Sequence, residues 1–155
     1  MIRTTSRIGA VLAAVACGAL GVPTHASADD ILWFETRDQG VECVITAAGD
    51  EVECLAHYPA FTVPGRVPVC DSRSGFIPVV SVTLFAGQAP TAANECFAAD
   101  HLGEDVPIAP GQFVNRNLFI CYGTDTGDVL LGVQCSYAGN PSYAFVLDRY
   151  SYSTS

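Results

Sequence analysis

Few side chains in this sequence are of types that do chemistry, and their spacing limits what that chemistry could be. Beyond the first 28 residues the only histidines are His57 and His101. An imidazole held between a carboxylate and a hydroxyl makes a hydrolytic triad. His101 follows Asp100, so a small hydrolase using His57 or His101 is one expectation, with a histidine in a charged surface loop as the plainer account. No G-x-S-x-G, H-E-x-x-H, phosphate-binding loop or G-x-G-x-x-G occurs. Catalytic, cofactor-binding and metal-ligating residues are therefore not assigned, and no cofactor is expected. Glu35, Glu42, Asp50 and Glu53 are near enough in sequence to converge as acid and base on a glycan. Glu42, however, lies between Val41 and Cys43, and Glu53 between Val52 and Cys54, so alternation sends both to the solvent face as solubilising charges. Asp125-x-x-Asp128 and Glu104-Asp105 offer hard oxygens to calcium, but without a regular ligand spacing. Thr124 to Gly127 makes a turn with no ion. Trp33, Phe34, Tyr58 and Phe61 could stack on a ligand, although core filling explains Trp33 and Phe34 more simply. Tyr137, Tyr143, Tyr150 and Tyr152 form a late cluster expected to be partly exposed, where amphipathic rings suit an interface.

The cysteines carry the strongest signal. Met1 to Ala28 has a basic start at Arg3 and Arg7, an apolar centre from Ile8 to Val22 and a small-residue exit at Ala26-Ser27-Ala28, which reads as a secretory leader cleaved after Ala28. Its apolar centre falls short of the roughly 20 residues a membrane span needs, and no second such run follows. Lipid attachment at Cys17, in Ala14-Val15-Ala16-Cys17, is the competing reading. Cleavage removes Cys17 and leaves an even set, Cys43, Cys54, Cys70, Cys96, Cys121 and Cys135, in an oxidising compartment. Consecutive members are separated by ten or more residues, which argues against zinc knuckles and C-x-x-C redox chemistry. Three disulfides are the expectation. The chain left after cleavage has five arginines and no lysine against sixteen acids, a formal charge of −11. That balance disfavours nucleic acid and anionic membrane surfaces as partners.

The elements that must position these residues read as β-strands: short runs of Val, Ile, Leu, Phe and Tyr are separated by Gly, Pro, Asn and Asp. Ile31 to Thr36, Val41 to Ala47 and Val52 to His57 form a meander. Pro59, Pro64 and Pro68 make 59–69 an edge or an extended connection. Val79 to Phe85 should be a central strand. The alanine-rich stretch 89–100 is the one place for a short helix, and Glu104 to Gly111 reads as a loop. Strands follow at Val114 to Tyr122, Val129 to Tyr137 and Tyr143 to Arg149, with a frayed end at Ser151 to Ser155. Cys43 and Cys54 flank one turn, and Cys121 and Cys135 another. Opposed strand positions lie near disulfide range, so Cys43–Cys54 and Cys121–Cys135 are the economical pairings among fifteen possible connectivities, leaving Cys70–Cys96. The fold class is all-β, an antiparallel meander, sandwich or partly open barrel in one domain spanning 29–155.

Phe34, Thr36, Val41 and Cys43 keep in register the anchors of F-x-S-P-S-G-N-I-x-C, the opening of a family of small exported actinobacterial proteins with six cysteines and no established function. Arg37 replaces the proline of that opening, and Asp38-Gln39-Gly40 replace Ser-Gly-Asn. Val52-Glu53-Cys54 resembles the family's V-R-C, Pro64, Pro68 and Cys70 its approach to the third cysteine, and Phe145 to Arg149 its ending. The resemblance implies export and a disulfide-linked domain, and supplies no catalytic residues. The functional expectation is a secreted, non-catalytic module that binds a protein, a peptide or a cell-envelope component. The alternatives are the hydrolase above and a protease inhibitor presenting the proline-rich loop 59–69.

Overall fold

A computed structural model describes residues 31–98, 106–125 and 131–155. The leader, Cys17, His101, Glu104, Asp105 and Asp128 lie outside them. The fold is all-β, with two sheets that do not close into a barrel. The first holds β1 (Leu32–Thr36), β2 (Val41–Ile45), β3 (Glu51–His57), β4 (Phe76–Phe85), β5 (Thr91–Ala98) and β6 (Val106–Ile108), in the order β5-β4-β3-β2-β1-β6. The second holds β7 (Phe113–Arg116), β8 (Phe119–Asp125), β9 (Leu131–Tyr137), β10 (Asn140–Leu147) and β11 (Tyr152–Thr154), in the order β11-β10-β9-β8-β7. All pairs are antiparallel except β1 with β6. One 3₁₀ turn, Ser72–Ser74, begins at Asp71, whose carboxylate accepts from the Arg73 N–H at 3.0 Å.

Period-two alternation builds the core. Phe34, Val41, Cys43, Ile45, Val52, Cys54, Val80, Val82 and Leu84 face Phe119, Cys121, Val133, Cys135, Phe145 and Leu147 in one buried cluster. Cys43 stands opposite Cys54, and Cys121 opposite Cys135, each pair bridged with Cα atoms 4.1 Å apart. These are the closer positions of an antiparallel ladder. The two bridges meet across the sheets, with Cys54 Sγ 3.9 Å from Cys135 Sγ. Cys70–Cys96 is the third bridge. Turn chemistry holds the register. Thr36 Oγ1 donates to Asp38 Oδ1 at 2.6 Å and accepts from the Val41 N–H at 3.0 Å, closing the β1–β2 turn.

Four expected elements differ from the structure. Residues 91–98 are strand rather than helix: pairing with the long central β4 outweighs alanine's helical preference. The run Val114 to Tyr122 is broken into β7 and β8 by a turn in which Asn117 adopts φ 49°. The proline-bearing stretch before Gly111 contains β6, whose edge position tolerates Pro107. The carboxyl end is not frayed, because Leu147 pairs with Tyr152 in β11.

Candidate functional site

The proline-rich connection between β3 and β4 is tied to the body at both ends. At its start the Tyr58 N–H donates to the Pro78 carbonyl at 3.1 Å, and the Ala60 N–H to the Arg149 carbonyl at 2.8 Å. Val63 is buried in the core with Phe61 packed beside that cluster. The Val63 N–H donates to Asn94 Oδ1 at 3.1 Å, and Asn94 Nδ2 returns a bond to the Val63 carbonyl at 2.8 Å. A single amide thus satisfies both polar groups of one backbone residue. At the far end Cys70 is bridged to Cys96. Asn94 and Cys96 belong to the edge strand β5, so the connection also covers a flank that would otherwise offer unpaired strand groups.

Between these ties the chain is open. Pro64, Gly65, Arg66, Val67 and Val69 are exposed, Val69 to 99% of its surface, with Pro68 half-buried among them. Gly65 has φ +128°, and a Cβ there would meet nothing within 4 Å, so the backbone geometry rather than crowding selects glycine. Pro64 and Pro68 fix their own φ and push Val63 and Val67 toward extended conformations. Arg66 has no ion-pair or hydrogen-bond partner among the described residues.

The acids and His57 form a second, different arrangement on the outward face of the first sheet. Glu35, Glu42 and Leu55 stand side by side on β1, β2 and β3. Alternation places Glu42 away from the core as expected, but not in solvent: it is 1% exposed and His57 3% exposed. Leu55, Ile77, Val79 and Phe97 make a small apolar cluster on that face, and the His57 ring stacks with Phe97 at a centroid distance of 6.3 Å. His57 Nε2 lies 3.4 Å from Glu42 Oε2, and Nδ1 lies 3.2 Å from the Gln39 carbonyl. The Nε2–Oε2 approach is an ion-pair distance without hydrogen-bond geometry. Neither Glu42 oxygen has a hydrogen-bond donor. Burial pushes the Glu35 carboxyl above its ordinary range, the Glu42 charge adds to this, and Gln39 and His57 partly offset it. Glu53 is raised too, by burial first and then by Glu95 and Glu51. Asp50 sits apart in the β2–β3 turn, accepting from Thr46 Oγ1 at 2.8 Å.

Among the described residues, the candidate acid–base side chains His57, Glu35 and Glu42 are turned away from solvent. Both imidazole nitrogens of His57 face groups inside the fold, Nδ1 the Gln39 carbonyl and Nε2 the Glu42 carboxylate, and the ring is 3% exposed. Glu35 and Glu42 are both buried, so neither carboxylate is presented on the surface of the sheet. The Cys43, Cys54 and Cys135 sulfurs lie within 4.8 Å of one another, yet all belong to disulfides and none is a thiolate ligand. Asp125 ends β8, while its expected calcium partners are outside the described residues.

Aromatic residues divide differently from the sequence expectation. Phe34 is core, whereas Trp33 and Tyr58 are exposed. Tyr137, Tyr143 and Tyr152 pack against the core, which leaves Tyr150 as the exposed member of the late cluster. Alternation alone missed Phe113 and Tyr122, an exposed ring pair 5.9 Å apart on the outward face of the second sheet. Their opposed register on β7 and β8 is the signal, but it needs the turn at Asn117 to be recognised. No protein-family profile, no curated protein and no solved structure shows significant similarity to the chain.

Proposed function

We propose that the chain is an exported, non-catalytic interaction module whose contact element is segment 64–69. One observation carries this reading: the most exposed apolar side chain named above, Val69, and the unpartnered Arg66 lie on a six-residue stretch fixed at both ends. A scaffold that immobilises exposed side chains lowers the ordering entropy a partner must overcome on binding. Export through the leader 1–28, and kinship with the small six-cysteine exported proteins, belong to the same reading. Three disulfides are compatible with it, as is the lack of any helix, among the described residues, long and apolar enough to cross a membrane. The test compares retention of the wild-type protein and an Arg66→Ala/Val67→Ala/Val69→Ala variant on purified cell-envelope material and immobilised extracellular proteins. Loss of retention at an unchanged melting temperature supports the module. Turnover of ester, peptide or glycoside substrates that disappears in His57→Ala or His101→Ala while the variant keeps its native circular dichroism would replace it with the hydrolase.

A second contact surface is favoured by the outward face of the second sheet. Among the described residues, Asn115, Ile120, Tyr122, Gln134, Ser136 and Val146 of these strands occupy it with no charged side chain, in a chain of net charge −9. An uncharged partner fits there, and Phe113→Ala/Tyr122→Ala would weaken its retention while leaving loop-dependent binding intact.

A further inference from the structure

We infer that segment 64–69 is presented to serine proteases that cleave after arginine, with Arg66–Val67 as the bond entering their active site. The inference rests on the reading that this segment is the contact element, and it names the partner. Shape comes first. Asn94 and Cys96, the two anchor points, are two residues apart on β5, about 7 Å along an extended strand. The seven steps from Val63 to Cys70 can reach about 23 Å, so the chain between the anchors must loop, and the exposure of residues 64–67 and 69 puts that loop on the solvent side. A looped stretch with exposed side chains, bent at residues 64 and 65, can enter a protease cleft. Among the described residues, residues 64–69 make no backbone hydrogen bond, so their carbonyls and the N–H groups of Gly65, Arg66, Val67 and Val69 are free to pair with a cleft edge.

Chemistry supplies the specificity. A trypsin-type cleft has a carboxylate at the base of its primary pocket. Arg66 offers an exposed guanidinium with no internal partner to give up. Val67, not proline, follows the bond, so the bond itself can be attacked, while Pro68 one residue later restricts Val67 to extended conformations.

The two clamps explain why such a bond would inhibit rather than be consumed. The protease serine oxygen attacks the Arg66 carbonyl carbon, the bond to the Val67 nitrogen breaks, and the serine proton passes through the protease histidine to that nitrogen. In a free peptide the new amine would diffuse away and water would hydrolyse the acyl-enzyme. Here the Cys70–Cys96 bridge keeps the Val67 amine beside the acyl carbon, while Asn94 holds Val63 on the other side. The amine re-attacks, the peptide bond re-forms and the serine hydroxyl is restored, a reversal favoured by the high effective concentration of a tethered group.

Titration of active trypsin, chymotrypsin and elastase with the oxidised protein tests this. Stoichiometric loss of trypsin activity is expected, weakened about 100-fold by Arg66→Ala and redirected to chymotrypsin by Arg66→Phe. Asn94→Ala should turn the inhibitor into a substrate, with mass spectrometry showing a cut after Arg66. Unimpeded trypsin, or cleavage of the wild-type chain after Arg66 as fast as in a free peptide, would overturn the inference. If trypsin is untouched while retention still depends on 64–69, the protease is the wrong partner and the interaction module stands.

Discussion

Glu42 and His57 show how much one buried pair can matter. Removing either partner leaves the other buried and uncompensated, so Glu42→Ala or His57→Ala should cost about 3–5 kcal/mol. A shape-preserving apolar replacement of both, Glu42→Met with His57→Phe, should recover most of that loss, and urea midpoints of the three variants measure it. Glu35 supplies a pH dependence. Its raised folded-state value means the native chain keeps this proton after the unfolded chain has released it. Stability therefore falls as pH rises from the ordinary carboxylate range through the raised value, and the deficit persists above it. Glu35→Gln should remove that part of the slope and be more stable than wild type at neutral pH, as melting temperatures across pH 3 to 8 would show. The side that Glu42 faces was legible in the sequence, because alternation with Val41 and Cys43 decides it. Its burial was not: a period of two says which face a residue takes, and nothing about the imidazole and leucine that the neighbouring strand places beside it.

Elements were readable where local chemistry fixed them and obscure where distant pairing did. Both cysteine hairpins could be drawn from their turns, since opposed positions bring the sulfurs together. The strand at 91–98 could not, because alanines that favour helix in isolation are recruited by β4 and by the bridge from Cys70. The loop 59–69 was recognisable from its prolines, but Asn94, which clasps Val63, gives no sequence signal, being 31 residues away in sequence. A further tight approach lies where β8 passes the turn at 109–112: Gly123 exchanges backbone bonds with Gly111 and Gln112, and a Cβ there would sit 2.3 Å from the Ala109 carbonyl oxygen. Backbone cannot give way as a side-chain tip can. Gly123→Ala should therefore destabilise by about 1–3 kcal/mol, the usual range for overpacking, in a chemical denaturation measurement.

At the scale of the molecule, all-β character followed from composition and turn spacing, whereas the partition of strands into two sheets did not, because it depends on which apolar faces meet. That partition nearly follows the chain: residues 32–108 supply every strand of the first sheet and 113–154 every strand of the second. Each disulfide stays on its own side, two in the first part and one in the second. A single engineered cut between Ala109 and Gln112 should thus yield two fragments that co-elute on gel filtration in buffer and part in denaturing electrophoresis without any reductant. The architecture is that of a clasped book whose covers are each stitched internally but never to one another. Whatever force or solvent loosens the apolar pages between them would open the protein along that spine with every covalent cross-link still in place.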